Sequence, residues 1–322
     1  IIGCDEFQDV SMILSNTITN CNVDTVVCVF DPKQELYSFA NPRSGAELLG
    51  DEFVSYPLSY CFRIGNTLAD LSVKIFEYFE KKPFKFIGMN KAQKIVKEVD
   101  RSKKHVVLCR SNYEILMQAL KYVAEGKIFN IEGRKELNYD FSTIEHVYKF
   151  KYNGDKAPFL KRFESYEQMK TCMTSGNRVF DMELSSAIKV VEELGSKTLT
   201  KLTELKNKLT SRENADVIFS TTHQAKGLTI KEPVIIADDY INIFSILESG
   251  EEFEFADIKD ALFLLYVALS RSCGEVEVND FTLMFYDGII NGIDREEDDE
   301  LTKLFKKIVD KEKKETRKLI LD

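Results

Sequence analysis

The chain has 322 residues, a formal net charge of −9 and 44% apolar residues, which suits about two soluble domains. No apolar run approaches the ~20 residues needed to cross a bilayer, so a membrane-spanning protein is not expected. The seven cysteines (Cys4, Cys21, Cys28, Cys61, Cys109, Cys172 and Cys273) form no C-x-x-C pair and the three histidines are isolated, which argues against a zinc site or disulfide framework and for reduced thiols in an intracellular protein.

Taken in chain order, β-branched or apolar runs at 1–4, 25–30, 105–109, 216–220 and 233–237 read as strands, with helical patterns at 58–78 and 113–124. Strands alternating with helices predict an α/β fold with a parallel sheet covered on both faces. In such sheets ligands sit beyond the carboxyl ends of the strands. Asp5, Asp31, Arg110 and residues 221–223 all fall at those ends. Between 130 and 212 strand signals fade, and helical patterns at 182–194 and 198–209 suggest a mostly helical insertion. The charged tail 294–322 places Leu301, Leu304, Phe305, Ile308 and Val309 at helical spacing, which predicts an amphipathic docking helix. The acidic run at 294–300 reads as a solvated face or linker. The net negative charge argues weakly against nucleic-acid binding. It has limited force, because a single strand is held by a local groove and stacking aromatics.

Asp5-Glu6-Phe7-Gln8-Asp9 sets a carboxylate pair at a strand end. Nucleoside triphosphate hydrolysis needs one acid to hold Mg²⁺ and a second to orient or deprotonate the attacking water. A helix N-terminus that favours acids explains such a pair equally well in isolation. Five further stretches follow. They are the run 26–39 with Asp31, Gln34, Tyr37 and Phe39; 58–63 ending in Arg63; 107–112 with Arg110; 220–228 with Thr222, His223, Lys226 and Gly227; and 264–272 with Tyr266 and Arg271.

In order, these six stretches resemble motifs II, III, IV, IVa, V and VI of UvrD/Rep-like superfamily 1A DNA helicases. The short insertion, the Ile131-Glu132-Gly133 stretch, the wording of 223–227 and the Asp238-Asp239 pair are similar to the F-box DNA helicases. The resemblance implies RecA-like P-loop helicase domains. The first would end at 57, the second would comprise 58–129 and 213–293, a helical insertion would fill 130–212, and a charged helix 294–322. It further implies an ATP-dependent, 3′-to-5′ helicase or translocase acting in repair or recombination. Its cofactors would be ATP and Mg²⁺, and its partners single-stranded DNA and duplex junctions. Location would be nuclear in a eukaryote and cytoplasmic in a bacterium.

Residue by residue, the resemblance makes Asp5 the Mg²⁺ ligand, Glu6 the group that activates water and Gln34 the γ-phosphate sensor. Arg63 and Arg271 would reach the phosphates, and an arginine delivered in this way is worth ~10³–10⁵ in rate. For Arg271 the competing reading is a helix C-terminal cation neutralising the dipole. Gly227 would let backbone approach the nucleotide. Phe39 takes the place of a base-stacking aromatic and Tyr37 lies close by, while Arg110, Thr222 and His223 match groove-lining positions. Stacking is worth ~1–3 kcal/mol per base and tolerates any sequence. The chain departs from the family pattern where Phe30 replaces a glycine, where 40–46 replaces an Arg-Gly-Ala, with Arg43 as a substitute, and where Thr229 replaces a ribose-contacting glutamate.

No G-x-x-x-x-G-K-[ST] loop occurs in the sequence, and Gly195-Ser196-Lys197-Thr198 is a decoy without a leading strand. Such a loop cradles the β- and γ-phosphates. With Ile1 in place of Met, the expectation is a chain cut inside a longer protein and inactive as an ATPase by itself. The alternative is a catalytically silent single-stranded-DNA-binding or scaffold paralogue. A scaffold has no need of Asp5, Glu6, Gln34, Arg63 and Arg271 together.

Overall fold

The computed structural model describes residues 1–36, 46, 49–50, 53–80, 82–132, 139–174, 182–237, 240 and 255–283. Tyr37, Phe39, Arg43, Asp238, Asp239 and the tail helix expected at 294–322 lie outside the described residues. The fold is α/β, and the chain divides into two compact units: Ile1–Val99 with the residues from Ala225 on, and Asp100–Gln224. No described helix is long and apolar enough to cross a membrane.

In the first unit β1 (Ile2–Cys4) pairs in parallel with β2 (Val26–Cys28), in the register Ile2↔Val26, Gly3↔Val27, Cys4↔Cys28. Helix α1 (Met12–Thr19) lies between them in the chain, started by Ser11, whose Oγ accepts the Leu14 amide at 3.4 Å. Next come β3 (Tyr60–Cys61), α2 (Asn66–Glu80) and β4 (Ile87–Gly88), and β3 pairs in parallel with β4. The 58–78 stretch is therefore helical only from Asn66 onward. The residues before Gly65 are extended because Gly65 and Gly88 bring two backbones into contact there. A Cβ on Gly88 would stand 2.2 Å from the Gly65 carbonyl oxygen. This crossing anchors the segment that carries Arg63.

Strands β5 (Lys94–Val96), β9 (Val234–Ile236) and β10 (Glu275–Glu277) form a parallel set with β10 in the middle. Helix α9 (Phe255–Leu269) is buried at every position from Leu262 to Leu269. A helix apolar on all sides belongs inside a core rather than on a surface. Its Tyr266 meets Phe76 of α2 edge-on at 5.5 Å, with Phe84 and Phe86 at 6.2 and 5.7 Å. These rings lock the end of α9, so the residues that follow it, Ser270 and Arg271, are placed by core packing.

In the second unit β6 (His105–Cys109) and β8 (Val217–Thr221) are buried along their whole length, and β7 (Phe129–Ile131) pairs with β8 on its other side, all parallel. Continuous apolar runs are what buried parallel strands require. Helix α3 (Asn112–Ala124) covers them, with Tyr122 edge-on to Phe219 at 5.6 Å and its hydroxyl 3.0 Å from His105 Nε2. The helical region is α4 (Ser142–Asn153), α5 (Tyr166–Thr174), α6 (Met182–Leu194) and α7 (Thr198–Lys208). Gly195–Lys197 is a 3-10 turn between α6 and α7, so no strand leads into the decoy and it cannot cradle a phosphate as a strand–loop–helix would. The short α8 (Thr222–Ala225) returns the chain to the first unit. Strands β3, β4, β5, β7 and β10, of two or three residues each, were too short to show a period in the sequence.

One carboxylate ties the helical region together. Glu192 on α6 accepts from Lys151 at 2.6 Å, Lys170 at 2.5 Å and the Tyr166 hydroxyl at 2.7 Å. These bonds hold its carboxyl down at about 2, below the usual carboxylate range. A depressed folded pKa contributes stability above the unfolded value and loses it as pH falls toward the folded one. Glu192→Gln is therefore expected to cost about 1 kcal/mol near neutral pH, with the difference from wild type shrinking below about pH 4. Urea unfolding across that range is the measurement, and a deficit independent of pH would refute the assignment.

Candidate functional site

The site is built from the carboxyl end of β1 outward. Glu6 has φ 52° and ψ 39°, and among the described residues no other non-glycine residue has a positive φ. A side-chain-bearing residue in the left-handed region costs roughly 1 kcal/mol or more, and such strain gathers at functional sites. The Glu6 amide is held by Asp5 Oδ1 at 2.9 Å. The turn buries Phe7 completely, and the Phe7 amide donates to the Val29 carbonyl at 3.0 Å. The two acids are thereby turned out of the strand while their neighbour is pinned in the core.

Gln8, 1% exposed, ties the first motif to the second. Its Nε2 donates to Glu6 Oε2 at 2.5 Å, and its Oε1 accepts the Asp31 amide at 3.2 Å. Asp31 begins a 3-10 turn over Pro32–Gln34 and caps it by accepting the Lys33 amide at 2.9 Å. Asp31 Oδ2 accepts Gln34 Nε2 at 2.9 Å and the Tyr266 hydroxyl at 3.0 Å. Burial, then the charge of Asp31, pushes the Tyr266 phenol well above its usual range, so it remains a neutral donor. Lys33 lies 4.1 Å above the Phe76 ring and is paired with Glu80.

Gln34 is thereby oriented with its Oε1 facing Arg271 Nη2 at 3.4 Å. Arg271 is 2% exposed, and its guanidinium also donates to the Val267 carbonyl at 2.8 Å and Ser270 Oγ at 2.7 Å. Among the described residues no carboxylate pairs with it. Desolvation, then the charge of Arg63, pulls it down to about 10, which leaves it protonated at neutral pH. Arg63 donates to Thr229 Oγ1 at 3.0 Å and to the Ser270 carbonyl at 3.2 Å. A glutamate at 229 would neutralise Arg63, whereas the Thr229 hydroxyl positions it and leaves its charge in place. Among the described residues both guanidiniums donate to neutral acceptors and neither is closed into an ion pair, an arrangement able to take an anion.

Lys226 closes the arrangement from the third direction. With 9% of its side chain exposed, its ammonium is paired with Asp9, lies 3.4 Å from Glu6 Oε2 and donates to the Gln34 carbonyl at 2.7 Å. Gly227 follows with φ 80°, and a Cβ there would meet nothing within 4 Å. Glycine serves the turn after α8 rather than a close backbone approach within the chain.

Of the residues expected from the sequence, Glu6, Gln34, Arg63 and Arg271 are thus joined in one network, with Asp5 and Gly227 at its margins. Gln8, Asp9, Asp31, Lys226, Tyr266 and Thr229 complete it, although no role was assigned to them as connectors. All lie inside or beside the motif stretches, so their offsets were the available signal. Arg110, Thr222 and His223 belong to the second unit. Arg110 follows Cys109 and Thr222 follows Thr221, which are partners across β6 and β8. They therefore leave adjacent strand ends roughly 4.8 Å apart. Arg110 is exposed, His223 half-buried and Thr222 wholly buried.

No group of three metal-ligating side chains is gathered among the described residues. The exposed Asp5 nonetheless fits Mg²⁺, which typically takes one or two carboxylates and completes its shell with water and phosphate oxygens. Compared with models of known protein families and with curated proteins, the chain matches none.

Proposed function

We propose that this chain carries the acid and arginine side of the ATP site of a UvrD-like superfamily 1 DNA helicase or translocase, with RecA-like domains. The observation that carries the reading is the single hydrogen-bonded path from Glu6 through Gln8, Asp31 and Gln34 to Arg271, which joins groups far apart in sequence. It supports phosphoryl transfer because it joins carboxylates suited to a metal and a water to two arginines that have no carboxylate partner among the described residues. When bound, Mg²⁺ would neutralise charge on the β- and γ-phosphate oxygens, with Asp5 its protein ligand.

In this reading Glu6, oriented by Gln8 and Lys226, accepts a hydrogen bond from the attacking water. Gln34 holds Arg271 through its side-chain carbonyl while its amide faces Asp31, so loss or gain of a phosphate contact at Arg271 is passed to the 3-10 turn that leads toward Tyr37 and Phe39. Arg63 and Arg271 stabilise charge on the transferred phosphoryl group. Single-stranded DNA is the proposed polymer, with Arg110 and His223 as contacts from the strand ends of the second unit.

The test is ATP hydrolysis by the protein at its full natural length, with and without single-stranded DNA. Stimulation by DNA, lost in Glu6→Gln, is expected. Hydrolysis that ignores DNA, or that survives Glu6→Gln, would overturn the proposal in favour of a binding or scaffold protein.

A further inference from the structure

Two thiols face each other behind the acids. Cys4 and Cys28 are register partners across the parallel β1–β2 pair, so their side chains project to the same face of the two strands. Both are half-buried, while Gly3 and Val27 line the opposite, exposed face. Paired strands lie ~4.7–4.9 Å apart, inside the ~4.4–6.8 Å range of Cα separations that a disulfide spans. The amide of Val29 donates to the Cys4 carbonyl at 2.8 Å and that of Ile2 to the Thr25 carbonyl at 2.9 Å, which holds the register. Burial, then the neighbouring Cys4, pushes the Cys28 thiol above its usual range, consistent with two sulfurs close enough to sense each other.

We propose that Cys4 and Cys28 are a redox pair, closed by a hydroperoxide into a reversible disulfide that ties β1 to β2 immediately before Asp5. One thiol attacks the peroxide, the O–O bond breaks, and a sulfenic acid and an alcohol or water are produced. The second thiol then displaces the sulfenic oxygen as water and the S–S bond forms, so two thiols are oxidised and one peroxide is reduced. In parallel strands the two Cβ atoms stand almost as far apart as the Cα atoms, beyond the ~3.8 Å that a relaxed disulfide prefers. The bond is therefore strained and readily reduced, which suits a transient switch in a reducing compartment. Its effect falls on the strand ends that present Asp5, Glu6 and Asp31, but its formation does not depend on what those residues do.

The experiment treats the full chain with hydrogen peroxide, alkylates the remaining thiols in denaturant and maps the products by mass spectrometry. Cleavage before aspartate is required, because Cys4, Cys21 and Cys28 share one tryptic fragment, whereas Asp5, Asp9 and Asp24 separate them. The expected result is a Cys4–Cys28 linkage in most molecules, removed by dithiothreitol, with the buried Cys109 still reduced. In Cys28→Ser the linkage is lost and Cys4 is trapped by dimedone as its sulfenic acid. Alkylation of both Cys4 and Cys28 after peroxide treatment, or coupling of either to Cys21 or Cys61 instead, overturns the proposal. The wild-type map decides the matter even if the variant does not fold.

Discussion

On the proposed function, replacing Arg271 with lysine is expected to lower DNA-stimulated ATP hydrolysis by ~10³-fold or more, the range that an arginine serving a phosphoryl transition state supplies. The expectation rests on geometry. The guanidinium bonds Val267, Ser270 and Gln34 at once while staying 98% buried and without a carboxylate among the described residues. Lysine keeps the positive charge but cannot reproduce that planar set of donors, so a helix-end cation would tolerate the change and a phosphate-facing arginine would not. Circular dichroism and the melting temperature of the variant separate loss of chemistry from loss of fold. A turnover within a few-fold of wild type in a folded variant would return Arg271 to the structural role of capping α9.

Lys226→Met is expected to cost about 3 kcal/mol of stability, because removing one member of a buried charged pair takes away the attraction that offsets the desolvation of the other. The ammonium is paired with Asp9 and lies near Glu6, and it also satisfies the Gln34 carbonyl, so three groups lose a partner together. A fall of roughly 5 °C in melting temperature should accompany the change. Asp9→Asn added to Lys226→Met should recover part of the loss, since the stranded charge is then gone. Strict additivity of the two substitutions would show that Lys226 and Asp9 do not act on one another. On the proposed function hydrolysis should fall as well, because Glu6 loses one of the two side chains that orient it.

Much of the fold was legible because its signals are local. The buried strands β6, β8 and β9 are short apolar runs, and α3, α6 and α7 follow their periodicity to within a residue or two. The 58–78 stretch misled because its apolar spacing continues through the extended segment before Gly65. What stops the helix there is the contact of Gly65 with Gly88, which no window of sequence contains. In the site, Asp5 and Glu6 were legible as a carboxylate pair at a strand end, whereas Gln34, Arg63 and Arg271 were picked out only by the resemblance of their stretches to the helicase motifs. The strained turn at Glu6 and the Thr229 bond to Arg63 were not legible, since each depends on where distant backbone happens to pass.

By itself the sequence determined the alternation of strands and helices, the order of the acidic, glutamine and arginine stretches and the absence of a phosphate-cradling G-x-x-x-x-G-K-[ST] loop. The tertiary structure alone decided that Lys226 meets Asp9 across 217 positions, that Tyr266 meets Asp31 across 235, and that Arg271 meets Gln34 across 237. Propensity and periodicity act over a few residues. A hydrogen bond needs its atoms within ~3 Å at a set angle, and over such separations only the packed core of α2, α9 and the parallel strands brings them there.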